Sequence, residues 1–177
     1  MKKIIKELLP YIMISVVVII LRVFVFSPTV VDGISMEPTL EDHNYLIGLK
    51  NQVTDIERGD IVVFPSIGNP EESNYIKRVI GVGGDTLEMK DDVLFINGEK
   101  QAEPYLNQAR IEENAKKSSY PYTNDFKVEV PENQIFVLGD NRQHSGDSRM
   151  FGCITEEEVL SVAKFRILPI GDFGKLK

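Results

Sequence analysis

A serine in a short turn is the residue of this sequence best placed to act as a nucleophile. Ser35 lies within residues 32–40, Asp-Gly-Ile-Ser-Met-Glu-Pro-Thr-Leu, where a glycine and a proline favour a turn. A serine hydroxyl is a weak nucleophile until a neighbouring base takes its proton. We predict that this base is Lys77, in the stretch 75–81, Tyr-Ile-Lys-Arg-Val-Ile-Gly.

Lys77 can act as a base near neutral pH only if its pKa is well below the usual value of about 10.4. Its neighbours Tyr75, Ile76 and Val79 would disfavour the ammonium form if they buried it. Taken alone, Ser35 is also compatible with an ordinary turn residue, and Lys77 with a lysine on the solvated face of a strand. The sequence leaves open which face of the strand carries Lys77.

A polar loop, residues 139–149, carries opposed charges close together. It holds Asp140, Arg142, Asp147 and Arg149. Carboxylates and arginines at this density can form a fixed network of ion pairs and hydrogen bonds. The alternative is a loop whose charges are merely solvated, and the pattern alone favours neither.

An apolar run near the N-terminus predicts one transmembrane helix. Residues 8–26 are almost wholly apolar and, at about 1.5 Å each, reach roughly one hydrocarbon thickness. Arg22 lies about a turn from the end, where its side chain can reach the interface. A cleaved signal peptide and a buried core helix are less favoured, because residues 27–29 form a poor cleavage site and the run has no polar face. Lysines within residues 1–7 and acidic residues after the run predict a cytoplasmic N-terminus.

Residues 27–177 predict a mainly β domain of antiparallel sheet on the outer face of the cell membrane. Stretches rich in β-branched and aromatic residues alternate with turn signals. Thr155 and Glu158 fit a capping box, which predicts one short helix starting there. Residues 103–125 are polar and poor in aliphatic side chains, as is typical of a surface excursion. The predicted strands are 29–31, 45–49, 61–64, 75–82, 86–89, 93–96, 126–130, 135–138 and 162–168, with a loop at 66–73 and a hairpin turn around 91–92.

Composition excludes several classes of function. A net charge of -7 argues against a nucleic-acid surface, which would be basic. The two histidines leave little material for a zinc site, and we expect no metal and no cofactor. The single cysteine, Cys153, cannot form an intramolecular disulfide.

Four stretches follow the apolar run in order: 35–40 (Ser-Met-Glu-Pro-Thr-Leu), 59–64 (Gly-Asp-Ile-Val-Val-Phe), 75–81, and 139–149 (Gly-Asp-Asn-Arg-Gln-His-Ser-Gly-Asp-Ser-Arg). Together they resemble the motifs of the type I signal peptidases, and the resemblance runs from the anchor to about residue 168. The single anchor, the small size and the lack of a cysteine pair resemble the compact Gram-positive type.

This resemblance implies a membrane-anchored serine endopeptidase that removes signal peptides from exported preproteins after a small-x-small motif, typically Ala-x-Ala. Ser35 would be the nucleophile, and Lys77 the neutral general base that later protonates the leaving amine. The Ser145 hydroxyl would support the lysine. The surrounding structural network would consist of Asp147, Arg149, Asp140 and Arg78.

By the same resemblance, the Ser35 backbone N–H would be one oxyanion donor. Some family members provide a second donor, a hydroxyl, two residues earlier, where this sequence has Gly33. The substrate would add as a β-strand beside two shallow apolar pockets. The residues expected to line them are Val31, Met36, Leu40, Tyr75 and Ile76. The partners would be signal peptides, membrane lipid and the export machinery, with no nucleic acid.

Other functions compete with this interpretation. A Ser–His–Asp hydrolase could use His144 and Ser145, but residues adjacent in sequence seldom face each other, and Cys153 lies in an apolar segment typical of a core. A membrane-anchored β-module that binds exported peptides without cleaving them would be expected to have lost Ser35 or Lys77. A self-cleaving Ser–Lys repressor would need a DNA-binding domain in place of the apolar run.

Overall fold

The computed structural model describes residues 2–68, 73–117 and 120–176. It confirms the predicted fold class, because antiparallel β-sheet dominates and one long apolar helix precedes it. Part of the loop expected at 66–73 lies outside the described residues.

The described residues form three α-helices, twelve strands and four 3-10 turns. The helices are α1 (Lys2–Phe24), α2 (Gln108–Lys117) and α3 (Ser148–Phe151). The strands are β1 (Phe26–Val30), β2 (Tyr45–Lys50), β3 (Ile61–Pro65), β4 (Asn74–Val82), β5 (Thr86–Lys90), β6 (Val93–Ile96), β7 (Glu99–Gln101), β8 (Phe126–Glu129), β9 (Gln134–Leu138), β10 (Ile154–Thr155), β11 (Ser161–Leu168) and β12 (Gly174–Lys175). The 3-10 turns are Asn51–Val53, Arg142–His144, Glu156–Glu158 and Ile170–Asp172.

The strands form two sheets. The larger has the order β1-β2-β11-β3-β4-β9-β10, with β12 paired to β11, and the smaller has the order β7-β6-β5-β8. Every described pairing is antiparallel. Lys77 lies on β4, in the interior of the larger sheet and opposite Val62 of β3, so its backbone is held on an ordered strand.

Strand β3 is buried on both faces of the larger sheet. Successive side chains of a strand point to opposite faces, and accordingly Ile61 and Val63 belong to one hydrophobic core while Val62 and Phe64 belong to a second. A third core, which includes Leu87 of β5, joins the smaller sheet to β4 and β9. The first core is the one that the Ser35 turn packs against.

Helix α1 is long and apolar enough to cross a membrane. Its segment Glu7–Phe24 has a mean hydropathy of 2.2, and none of it is buried in the protein. The helix ends at Phe24, so the last two residues of the predicted span lie outside it. Phe26 instead pairs with Leu49 as the first residue of β1.

The other helices differ from those predicted. The capping box at Thr155 and Glu158 is present, but it caps only the 3-10 turn Glu156–Glu158. The chain enters β11 at Ser161, and this leaves no room for a longer helix. Residues 103–125, expected to be a surface excursion, contain α2, and among the described residues there Leu106, Tyr122 and Thr123 are buried.

Candidate active site

The turn that carries Ser35 is fixed by its own hydrogen bonds and by the core beneath it. The Gly33 N–H donates to Asp42 Oδ1 at 2.9 Å. The Leu40 N–H donates to the Met36 carbonyl at 2.9 Å. Met36 and Leu40 are 1% and 0% exposed in the first core. These contacts hold the turn over the sheet and leave Ser35 half-buried.

Lys77 contacts Ser35 directly. Its Nζ lies 2.8 Å from Ser35 Oγ and 3.1 Å from the Ile76 carbonyl oxygen. The lysine is only 3% exposed, so this hydrogen bond is shielded from water. The two residues that the sequence analysis paired, 42 positions apart, are therefore within reach for proton transfer.

Burial changes the acid–base behaviour of Lys77. Removal from water lowers its pKa from 10.5 to about 8, while the negative charges of Asp147 and Asp140 act in the opposite direction. Tyr75 lies alongside, with its ring centroid 5.2 Å from Nζ. A neutral amine that can accept a proton is thus accessible near physiological pH.

The loop 139–149 is tied to the Ser35 turn through Asn141. Its backbone N–H donates to the Ser35 carbonyl at 3.0 Å, and its side-chain amide donates to the Ile34 carbonyl at 3.0 Å. Asn141 is 2% exposed. No role was predicted for Asn141 from the sequence, although its place between Asp140 and Arg142 in the polar loop was a usable signal.

Arg78 and Asp140 form a bidentate ion pair inside the protein. Arg78 Nε lies 2.9 Å from Asp140 Oδ1, and Arg78 Nη2 lies 2.7 Å from Oδ2. Their side chains are 1% and 0% exposed. Thr39 Oγ1 donates to Asp140 Oδ2 at 2.5 Å, and Arg78 Nη1 donates to the Gly59 carbonyl at 2.8 Å. The pair therefore connects the Ser35 turn, β4 and the loop 139–149.

Asp147 and Arg149 form a second pair within the loop. Arg149 Nε and Nη2 lie 2.7 Å and 2.8 Å from the two carboxylate oxygens of Asp147. Asp147 also accepts the Gly139 N–H at 3.1 Å, and Arg149 donates to the Arg142 carbonyl at 2.7 Å. These bonds close the polar loop on itself, as expected for a fixed network rather than a solvated one.

The Ser145 carbonyl accepts a hydrogen bond from Arg149 Nη2 at 3.5 Å, but its side chain makes none within the described residues. Its Oγ is buried and has no partner there. Gly139 lies against it: a Cβ at this position would be 2.3 Å from Ser145 Oγ and 2.5 Å from the Ser35 carbonyl oxygen. Only glycine fits between these two serines.

The backbone N–H of Ser35 makes no hydrogen bond to another residue of the described ranges. It is therefore free to donate to an oxyanion. The Gly33 N–H is already used by Asp42. As a result, the Gly33 backbone offers no second donor unless that bond breaks.

A cleft of about 170 Å³ opens at the Ser35–Lys77 contact. Four of the five predicted pocket residues line it, together with three residues that the sequence analysis missed. Leu40, the fifth, is fully buried behind it. The cleft is lined by Val31, Asp32, Ser35, Met36, Asn74, Tyr75, Ile76, Lys77 and Gly146.

The residues of the alternative mechanisms are less well arranged. His144 is exposed, and its Nδ1 lies 3.2 Å from Asn141 Oδ1. Cys153 packs against the third core, and burial raises the pKa of its thiol. A raised pKa disfavours the nucleophilic thiolate.

Comparison with known proteins gives a consistent result. Residues 3–168 match the family described as signal peptidase, peptidase S26. Signal peptidase I of Bacillus amyloliquefaciens is 43% identical over 166 residues, which is 92% of this chain and 86% of that protein. Signal peptidase IB of Staphylococcus aureus (strain N315) is 39% identical over 188 residues, 95% of this chain and 93% of that protein. The crystal structure of a signal peptidase I from Enterococcus faecalis V583 superposes with a TM-score of 0.55 at 40% identity, covering 62% of this chain and 97% of that one.

Proposed function

This chain belongs to the signal peptidase family, peptidase S26, and on that premise we propose that Ser35 and Lys77 are the catalytic pair of a signal peptidase I. Its activity is the removal of signal peptides from preproteins. The observation that carries the catalytic assignment is the 2.8 Å contact between Lys77 Nζ and Ser35 Oγ at a buried lysine. The relatives' activity does not favour a peptide-binding module without cleavage.

Acylation follows from this contact. Neutral Lys77 takes the Ser35 proton as Oγ attacks the scissile carbonyl carbon, and the carbonyl oxygen becomes an oxyanion. The unused Ser35 N–H donates to this oxyanion. The intermediate then collapses, the C–N bond breaks, and the Lys77 ammonium protonates the leaving amine. Ser35 is left as an ester of the signal peptide.

Deacylation repeats these steps with water. Lys77, neutral again, takes a proton from a water molecule that attacks the ester carbonyl. The new intermediate collapses to a carboxylate at the end of the signal peptide, and Lys77 returns the proton to Ser35 Oγ. We assign Ser145 a supporting role toward Lys77, because its hydroxyl is buried in the loop beside Ser35 and has no partner among the described residues.

The size of the cleft supports a small-x-small cleavage motif. A volume of about 170 Å³ lined by Val31, Met36, Tyr75 and Ile76 accommodates small side chains. Asn74 to Lys77 form an extended backbone beside it. Among the described pairings, β9 pairs with β4 only from Arg78 onward, so a substrate strand can add to the other edge of residues 74–77. We therefore propose cleavage after Ala-x-Ala and related sequences.

The anchor supports a position at the membrane surface. Helix α1 leads directly into β1, and residues 31–35 follow, so Ser35 stays within a short length of chain of the helix end. The lysines among residues 1–7 favour a cytoplasmic N-terminus and an outer catalytic domain. Lipid and the export machinery would then be neighbours of the enzyme.

Cleavage of a preprotein with an Ala-x-Ala site by the full chain in detergent tests the assignment. Ser35→Ala and Lys77→Met should each lower kcat at least roughly a thousandfold, because nucleophile and base act as a unit. Ser73→Ala and Lys90→Met, which change an exposed serine and an exposed lysine, should cleave at the wild-type rate.

Three results would count against the proposal. Wild-type turnover in a folded Ser35→Ala or Lys77→Met variant would refute the assignment of the catalytic pair. Cleavage at a site other than the one after Ala-x-Ala would refute the proposed cleavage motif. A folded wild type that binds the preprotein without cleaving it would instead point to a binding module.

A further inference from the structure

A buried ion pair ties the segment 103–125 to the loop 139–149. Arg142 Nη2 lies 2.5 Å from Glu103 Oε1, and Arg142 Nη1 lies 3.4 Å from Oε2. The side chains are 0% and 7% exposed. Burial alone would lower the pKa of Arg142, but Glu103 overcomes this and the pKa is raised. The pair lies inside the protein, where loss of one partner would leave the charge of the other uncompensated.

Tyr105 connects this pair to the second buried arginine. Its hydroxyl donates to Glu103 Oε1 at 2.8 Å, and its ring centroid lies 4.0 Å from the Arg78 guanidinium carbon. Burial, and then Glu103, raise the pKa of Tyr105, so the hydroxyl stays protonated and continues to donate. Arg78 in turn holds Asp140. The segment 103–125 therefore contacts both Arg78 and Arg142.

Arg142 connects Glu103 to the backbone around the nucleophile Ser35. Its Nε donates to the Gly139 carbonyl at 3.1 Å. Gly139 is packed so closely between Ser145 and Ser35 that a single added carbon would overlap both. The next residue but one, Asn141, donates its N–H to the Ser35 carbonyl at 3.0 Å. Two hydrogen bonds, one to the Gly139 carbonyl and one from Asn141, therefore connect Arg142 through the loop backbone to Ser35.

We propose that Glu103 is a positioning residue for catalysis, which fixes Arg142 and thereby sets the position of Gly139 and Ser35 relative to Lys77. Glu103 acts through other residues, since no described residue of the segment 103–125 hydrogen-bonds to Ser35 or Lys77. The inference rests on the proposed function of Ser35 and Lys77. It gives the segment 103–125 a part in catalysis.

Glu103→Gln tests the inference, because it keeps the shape of the side chain and removes its charge. The displacement of Ser35 should lower kcat roughly tenfold to a hundredfold. KM should stay at the wild-type value, because Glu103 lies outside the residues that line the substrate cleft. Glu112→Gln is the matched control, an exposed glutamate of the same segment on α2, and should keep the wild-type kcat.

A double variant separates positioning from a purely structural role. Glu103→Gln leaves Arg142 as an uncompensated buried charge and should lower the urea concentration at the unfolding midpoint. Glu103→Gln combined with Arg142→Met removes both buried charges and should restore that midpoint. Methionine at position 142 cannot donate the hydrogen bond that Arg142 Nε makes to the Gly139 carbonyl, so kcat should stay low. This variant keeps the test decisive even if Glu103→Gln alone does not fold.

Two results overturn the inference while the proposed function stands. One is a wild-type kcat in Glu103→Gln, and the other is a double variant whose kcat recovers together with its urea midpoint. If the wild-type protein does not cleave the preprotein, both the proposed function and this inference are refuted.

Discussion

Replacing Lys77 with methionine should make the protein more stable at neutral pH while abolishing its activity. Lys77 is 3% exposed, and burial lowers its pKa from 10.5 to about 8 despite Asp147 and Asp140. This difference corresponds to about 3 kcal/mol at neutral pH, since one pKa unit is about 1.4 kcal/mol. Methionine carries no charge and avoids this cost, although the lost hydrogen bonds to Ser35 and to the Ile76 carbonyl offset part of the gain.

The stability difference between the two proteins should depend on pH in one direction. A lysine whose pKa is lower in the folded state binds its proton more weakly there than in the unfolded chain. The wild type therefore gains stability as the pH rises from about 8 to 10.5. The advantage of Lys77→Met should shrink by about 2 kcal/mol between pH 7 and pH 10. Other titrating groups are common to both proteins and cancel in the difference.

The activity of the wild type should report the same pKa. With a pKa of about 8, roughly one molecule in ten carries a neutral Lys77 at pH 7, against about one in three thousand at a pKa of 10.5. The value of kcat/KM should therefore rise about tenfold per pH unit below pH 8 and level off above about pH 9.

Urea unfolding of the full chain in detergent at pH 7, 8.5 and 10 measures the stability difference, and preprotein cleavage over the same range measures the rate. Lys90→Met, at an exposed lysine, is the control and should show no pH-dependent difference. A stability difference that stays constant from pH 7 to pH 10 would refute the depressed pKa. A kcat/KM that is flat from pH 6 to pH 9 would refute a titrating base.

Three further outcomes are expected. Gly139→Ala should lower kcat at least roughly tenfold, because its Cβ would lie 2.3 Å from Ser145 Oγ and 2.5 Å from the Ser35 carbonyl oxygen; a wild-type kcat would show that the loop yields freely. A preprotein with Phe in place of Ala before the scissile bond should not be cleaved, because the cleft holds only about 170 Å³; efficient cleavage would disprove the small-residue motif. Protease added to intact cells should digest the catalytic domain; protection would reverse the proposed orientation of the N-terminus.

Much of the sheet was predictable from local pattern. The apolar run of β3 and the alternation of β5 and β6 mark these strands in the sequence, and the hairpin turn expected at Asp91 and Asp92 is present, both with positive φ. A strand was expected at 29–31, but β1 spans Phe26–Val30 and contains Pro28. The structure tolerates this proline because β1 lies at the edge of the sheet.

The segment 103–125 was harder to predict, because its contacts are long-range. Its helix α2 had a local signal: Asn107 Oδ1 accepts the Arg110 N–H as an N-terminal cap, and the residues that follow favour helix. The ion pair between Glu103 and Arg142 joins positions 39 residues apart in the sequence, and no local pattern predicts it. No local pattern predicts the contact between Ser35 and Lys77 either. It was predicted only from the chemistry of the two side chains together with the resemblance to a family.

The two carboxylates near Lys77 are compatible with a low pKa because each is paired with an arginine. Asp147 and Asp140 raise the pKa of Lys77, but Arg149 and Arg78 lie within 2.7 Å of them. From the position of Lys77 each pair resembles a dipole, whose effect falls off faster with distance than that of a single charge. Asp147→Asn removes the carboxylate with the larger effect on the pKa of Lys77, so this pKa should fall further and the acidic limb of kcat/KM should move to lower pH, whatever happens to kcat itself. Glu157→Gln, at an exposed site, should leave the limb in place, and an unmoved or higher limb in Asp147→Asn would show that these carboxylates do not set the basicity of the lysine.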